Sequence, residues 1–259
     1  MHGVLALSAL HLSRKDPHSS RRSMNLIAAT KHHKEALGLF HKQLANPHSD
    51  SAHAMFAFDS IAVAYSFGFL LTPNNPDPID SIDKIHRVLL LSNSVHQAIR
   101  MSQGGCDEMA SVSIMKEDEQ STELPKDIAL AIDNIRTANT NCAEENPGHE
   151  TKVYDETINK VTEILCSVYG GTKSSALVCQ RVAQLPRRFL ALVKERDQMA
   201  LVILTHMCIP LYHLKHCWYF DEWCTRVANM TWSMLEERWR PFVYQAMTII
   251  FGIENLGNS

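Results

Sequence analysis

Between Glu150 and Tyr169 the apolar residues fall at Tyr154, Ile158, Val161, Leu165 and Val168, spaced alternately by four and three. That spacing puts all five on one face of an α-helix. A strand cannot use it, because successive strand residues point to opposite sides. Gly170-Gly171 follows as a stop signal. The same period recurs in segment after segment, few stretches alternate with period two, and glycine is scarce at 10 residues in 259. The expectation is an all-α fold: a single irregular domain of about ten helices around two buried core helices.

The first core helix is expected at Ala52 to Leu71. Phe58, Ala62, Tyr65 and Phe69 form one apolar stripe and Phe56, Val63, Phe67 and Leu70 another. A helix apolar all round is either buried or membrane-spanning. Asp59 inside it would cost roughly 2.5–3.5 kcal/mol near a bilayer centre, and Ser60 and Ser66 interrupt it further. The buried reading follows, with Asp59 paired to a basic side chain or capping irregular backbone in preference to anchoring a ligand. The second core helix is expected at Gln198 to Cys217, with Pro210 inside it.

Shorter elements fill the rest. Val4 to Leu12 reads as a helix ending before Pro17, and Arg22 to Leu44 as a long amphipathic one. Ile82, Ile85, Leu89 and Ile99 mark a fourth helix after the proline-rich loop at Thr72 to Pro78. Residues 103–124 are polar, acidic and expected to be poorly ordered. Lys126 to about Ala138 is helical and Asn141 to His149 a loop. Pro186 separates Ser174–Leu185 from Phe189–Arg196. Asp221 would cap a helix through Trp239, and Pro241 precedes a last helix ending near Gly252.

Composition narrows the function. With 45% hydrophobic and 20% charged residues the chain suits a globular domain rather than a disordered one. A net charge of -3 and no long Lys/Arg run argue against direct nucleic-acid binding. Seven cysteines, an odd number without a CxxC pair, read as reduced thiols in an intracellular protein rather than as a zinc site. Met1-His2-Gly3 leads straight into an amphipathic stretch, so no signal peptide is expected and the chain reads as starting inside a folded domain. No nucleophile elbow, phosphate-binding loop or dinucleotide fingerprint occurs, and no catalytic residue, metal or cofactor is expected.

Two chemistry-bearing clusters stand out. Trp218, Tyr219, Phe220 and Trp223 follow the Pro210 helix; they would suit the wall of a cavity for a flat, rigid lipid, or plain packing between helices. His206, His213 and Cys217 share a helix face at i, i+7 and i+11, but Pro210 bends the ladder between them, which argues against a metal site. A buried histidine there could instead donate a hydrogen bond to a ligand hydroxyl.

The order of three stretches carries a resemblance. His2-Gly3-Val4-Leu5-Ala6-Leu7-Ser8-Ala9-Leu10-His11-Leu12 precedes a long helix with His33-Lys34-Glu35-Ala36-Leu37-Gly38-Leu39-Phe40. Ala200 to His206 then precedes Trp218-Tyr219-Phe220, Trp223 and Leu235 to Pro241. This order resembles the C-terminal regulatory domain of fungal zinc-cluster transcription factors, particularly the sterol uptake control type. The resemblance spans nearly the whole chain, and the six-cysteine DNA-binding cluster is absent from it. Two departures lie near the expected ligand region. Asp221-Glu222 stands where the family often has glycine between paired aromatics, and Tyr244-Gln245 stands for its Trp-Pro.

The resemblance implies an all-α fold, nuclear activity, homodimers and an apolar pocket for a sterol or other lipid. Its pocket is expected at Tyr65, Phe69, Leu211, His213, Trp218, Phe220 and Trp223. A ligand-free dimerisation and partner-interaction scaffold of the same fold is the alternative. A terpenoid-processing helical enzyme is disfavoured, because Asp77-Pro78-Ile79-Asp80 lies in a proline-rich loop without helical spacing.

Overall fold

The structure is a computed structural model, described for residues 1–16, 18–45, 52–70, 78–102, 123–172, 174–220 and 222–252. Among these residues every regular element is helical and there is no strand. The polar segment expected at 103–124 lies outside them except for its last two residues, as do Asp221 and most of the proline-rich loop. The chain forms two compact units drawn from separated stretches, Met1–Asn74 with Val88–Glu117 and Ser175–Gln184, and Asn75–Arg87 with Asp118–Ser174 and Leu185–Ser259.

In the first unit, α1 (His2–Lys15) and α2 (Ser19–Ala45) form an antiparallel hairpin. The turn is held by Asp16: its Oδ1 accepts from the His18 amide at 3.0 Å, and its carbonyl accepts from Arg22 Nη2 at 3.1 Å. At the open end the Nδ1 atoms of His2 and His32 lie 3.0 Å apart. Gly3, Ala6, Leu10 and Ser13 are the buried face of α1, spaced three and four as a helix requires.

The hairpin packs on α3 (Ala52–Leu70). A Cβ at Gly3 would lie 3.3 Å from Ile61 Cγ2 and 3.4 Å from Phe58 Cδ2, so the small residue sets how closely α1 approaches. From α2, the His33 ring stacks on Tyr65 at 4.0 Å and Phe40 meets Phe58 at 4.7 Å. Asp59 is buried, and its Oδ2 meets His96 Nδ1 of α4 (Pro78–Ser102) at 3.5 Å. The sequence required a partner for this carboxylate, and His96 supplies it. Asn93 of α4 donates to the carbonyl of Ala183 at 3.1 Å, satisfying the end of α7 (Ser175–Ala183).

In the second unit, α9 (Gln198–His213) is buried without interruption from Met199 to Leu211. It contacts α5 (Lys126–Glu145), α6 (Thr151–Tyr169), α8 (Arg187–Lys194), α10 (Trp223–Met234), a 3-10 turn at Glu237–Val243 and α11 (Tyr244–Phe251). Its start is built by Asp197, whose Oδ1 accepts from the Ala200 amide at 3.0 Å and from the Tyr154 hydroxyl at 2.6 Å.

Three boundaries differ from the sequence expectation, two for a tertiary reason and one for a local one. Helix α5 continues past Ala138 to Glu145. The Asn139 side chain, which reads as a loop signal, is buried and bonded to His149, Asp155 and the carbonyl of Thr151 at 2.7–3.1 Å. Helix α10 stops at Met234 rather than Trp239, because Leu235 is extended. Gln198 bridges the break, accepting from the Glu236 amide at 2.8 Å and donating to the Met234 carbonyl at 3.4 Å. Helix α9 ends at His213 rather than Cys217. Pro210 leaves the His206 carbonyl without its helical donor, and the chain proceeds by successive i to i+3 turns through Cys217 and Phe220 to Trp223.

The start of α9 carries a stability prediction. Removing the Asp197 carboxylate with Asp197→Ala loses a cap worth about 1 kcal/mol and orphans the buried Tyr154 hydroxyl at about 1–3 kcal/mol. The expected loss in urea unfolding is about 2–4 kcal/mol, with Asp197→Asn, which keeps an acceptor, retaining most of the wild-type stability.

Candidate functional site

Helix α9 is the most enclosed element of the second unit, and its buried run from Met199 to Leu211 includes the imidazole of His206. The side chain of His206 is 1% exposed. Its Nδ1 lies 3.0 Å from the carbonyl of Val202. A carbonyl only accepts, so Nδ1 bears the proton. Burial holds the imidazole pKa down to about 4, with the Val202 bond opposing; the ring is therefore neutral near pH 7 and Nε2 carries a lone pair. That nitrogen has no hydrogen-bond partner among the described residues. The expectation that a buried histidine here donates to a ligand hydroxyl is corrected in direction: the ring proton is on Nδ1, against Val202, so Nε2 can only accept.

The neighbouring polar groups along α9 are already engaged or protonated. On the preceding residue, the Thr205 hydroxyl lies 2.7 Å from that of Thr231 on α10, and each also bonds a backbone carbonyl of its own helix. Burial pushes the thiols of Cys208 and Cys224 well up, so both stay protonated and are poor nucleophiles. No group of three or more His, Cys, Asp or Glu side chains converges among the described residues.

The seven residues expected to form a pocket divide between the two units. Tyr65 and Phe69 belong to the first. Tyr65 is buried between His33 and Phe69, the latter at 5.8 Å between ring centres, and burial raises its phenol pKa. Phe69 is 39% exposed.

The other five belong to the second unit. Leu211 and Phe220 are 0% exposed and Trp223 is 1% exposed. Trp218 and Tyr219 are half-buried and meet edge-on at 5.6 Å, with Tyr219 against Phe220 at 4.7 Å. His213 is exposed; its Nε2 lies 3.0 Å from the Tyr169 hydroxyl, and partial burial followed by Lys215 lowers its pKa. The turn from Leu214 to Phe220 therefore joins a half-buried aromatic edge to a fully enclosed aromatic interior.

The enclosure of His206 was only partly legible in the sequence. A single histidine in the middle of an apolar helix, four residues before a proline, was the available signal. The network of Tyr154, Asp197, Asn139, His149 and Asp155 had none, because its members come from α5, α6, the loop between them and the residue that caps α9.

Comparison of the chain with family models, with curated proteins and with solved structures returned no match.

Proposed function

We propose that the chain is a regulatory module whose second unit takes up an apolar molecule bearing a hydroxyl group, of the sterol class. The observation that carries this reading is the lone pair of His206 Nε2, an acceptor buried in an apolar helix without a partner among the described residues. Leaving a buried acceptor unmet costs about 1–3 kcal/mol. A ligand with one hydroxyl on an otherwise apolar body would recover that cost and bring apolar surface to Leu211, Trp218, Phe220 and Trp223.

Leu211 and Phe220 have no exposed surface in the closed protein. A ligand that reaches them has to displace the turn from Leu214 to Phe220, so uptake and conformational change are coupled. A ligand that binds only the opened state shifts the protein toward it, which is the requirement for a sensor. The resemblance to fungal zinc-cluster factors supports a nuclear, homodimeric transcriptional regulator in which this change exposes or hides a control surface.

The same enclosure of Leu211 and Phe220 favours a second reading, a ligand-free interaction scaffold. Lipid extraction from the chain purified out of a sterol-containing host, followed by mass spectrometry, separates the two. The sensor reading expects one sterol-class molecule retained per chain. A chain that retains none belongs to the scaffold reading.

A further inference from the structure

The hairpin of the first unit presents an outward face that the sensor reading does not use. Helix α1 reaches α3 through Gly3, and α2 reaches it through His33 and Phe40. Both helices therefore turn their opposite faces away from α3, on one side of the hairpin. Val4 and Leu12 of α1 are 50% and 55% exposed there, Leu5 is 41% exposed, and Met24 and Ile27 of α2 are each 69% exposed. Apolar residues this open on two adjacent helices are a candidate contact surface.

The charge around this face is predominantly positive, with Glu35 the exposed acidic residue beside Lys31. Residues 1–45 hold seven Lys or Arg against two Asp or Glu, in a chain whose net charge is -3. Lys15, Arg21, Lys31 and Lys34 are exposed beside the apolar residues. We infer that the outward face of the α1–α2 hairpin docks on an anionic lipid bilayer, with Val4, Leu5, Leu12, Met24 and Ile27 at the acyl boundary and the basic side chains among the head groups.

The arrangement of the residues selects this occupant. On α2 the positions spaced four and three along the outward face are Ser20, Met24, Ile27, Lys31, Lys34 and Gly38. A partner helix packed along that line would bury two lysines at its centre, and a second copy meeting through the same line would bring like charges together. A bilayer avoids both costs, because lysine side chains extend to the phosphates while their neighbours enter the apolar layer. Duplex or single-stranded nucleic acid matches the charge. However, the exposed apolar residues here are aliphatic and offer no ring for a base to stack on.

The test is cosedimentation of the full chain with phosphatidylcholine vesicles, with and without phosphatidylserine. Binding is expected only with phosphatidylserine present and should weaken as salt is raised. Lys31→Gln with Lys34→Gln should lower the partition coefficient about 30-fold, from roughly 1 kcal/mol for each cation at an anionic surface. Met24→Gln with Ile27→Gln keeps the charge and should lower it at least about tenfold. The two pairs are independent tests, and circular dichroism of each shows which remains folded. Equal sedimentation with both vesicle types, or binding unchanged by both pairs, overturns the proposal. So does tight binding of duplex DNA that the lysine pair abolishes, or a fall in oligomer mass caused by the methionine–isoleucine pair.

Discussion

Truncation of Trp223 to alanine is expected to destabilise the ligand-free chain by roughly 3–5 kcal/mol in urea unfolding at neutral pH. Trp223 opens α10, is 1% exposed, and its backbone amide closes the turn from Phe220 at 3.1 Å. Removing so large a fully buried ring leaves a void at the start of α10. Trp232 is the internal control. It is half-buried, with Arg240 5.1 Å above its ring and Tyr244 at 5.7 Å, and its truncation is expected to cost clearly less. Equal losses for the two variants would mean that the α9–α10 junction is loosely packed, and the coupling of uptake to opening would lose its basis.

The second large effect is a dependence of stability on pH through His206. Its pKa is about 4 in the folded chain against 6.5 for the free side chain. The unfolded state therefore binds more protons between these values. The contribution is fully present above about pH 6.5 and is lost as the pH falls from there to about 4. The size of this difference corresponds to about 3 kcal/mol. His206→Leu should flatten the urea midpoint across that window. A smaller slope remains from His33 and His213, whose pKa values burial also lowers. An unchanged slope in His206→Leu would show that the ring is not enclosed as described.

Much of the helical fold was legible because burial leaves a period behind. The spacing in α6 and the continuous apolar run of α9 each name their helix without tertiary information. Boundaries were less legible. The Asn and Thr residues near the end of α5 favour loops locally, whereas the Asn139 side chain is engaged by His149, Asp155 and Thr151, which lie beyond the helix. Gln198 and the break at Leu235 are likewise far apart in sequence. The grouping of Ser175–Gln184 with the N-terminal helices depends on contacts of α7 with α3, for which no local signal exists.

The candidate site was legible as a list of residue types and not as an arrangement. The aromatic cluster after Pro210 could be read as cavity wall or as packing, and spacing alone does not separate these. Enclosure of Leu211, Phe220 and Trp223, together with the lone pair of His206, turns that alternative into one question: whether a hydroxylated apolar molecule opens the turn beyond α9.

Titration of the chain's tryptophan fluorescence with a sterol, and with its 3-keto analogue, answers it most directly. The hydroxyl can donate to His206 Nε2 and the ketone cannot. A saturable response to the sterol is expected, with the ketone weaker by about tenfold or more, the equivalent of one buried hydrogen bond. No response to either molecule, or equal affinity for both, would contradict the assignment of His206 as the hydroxyl acceptor.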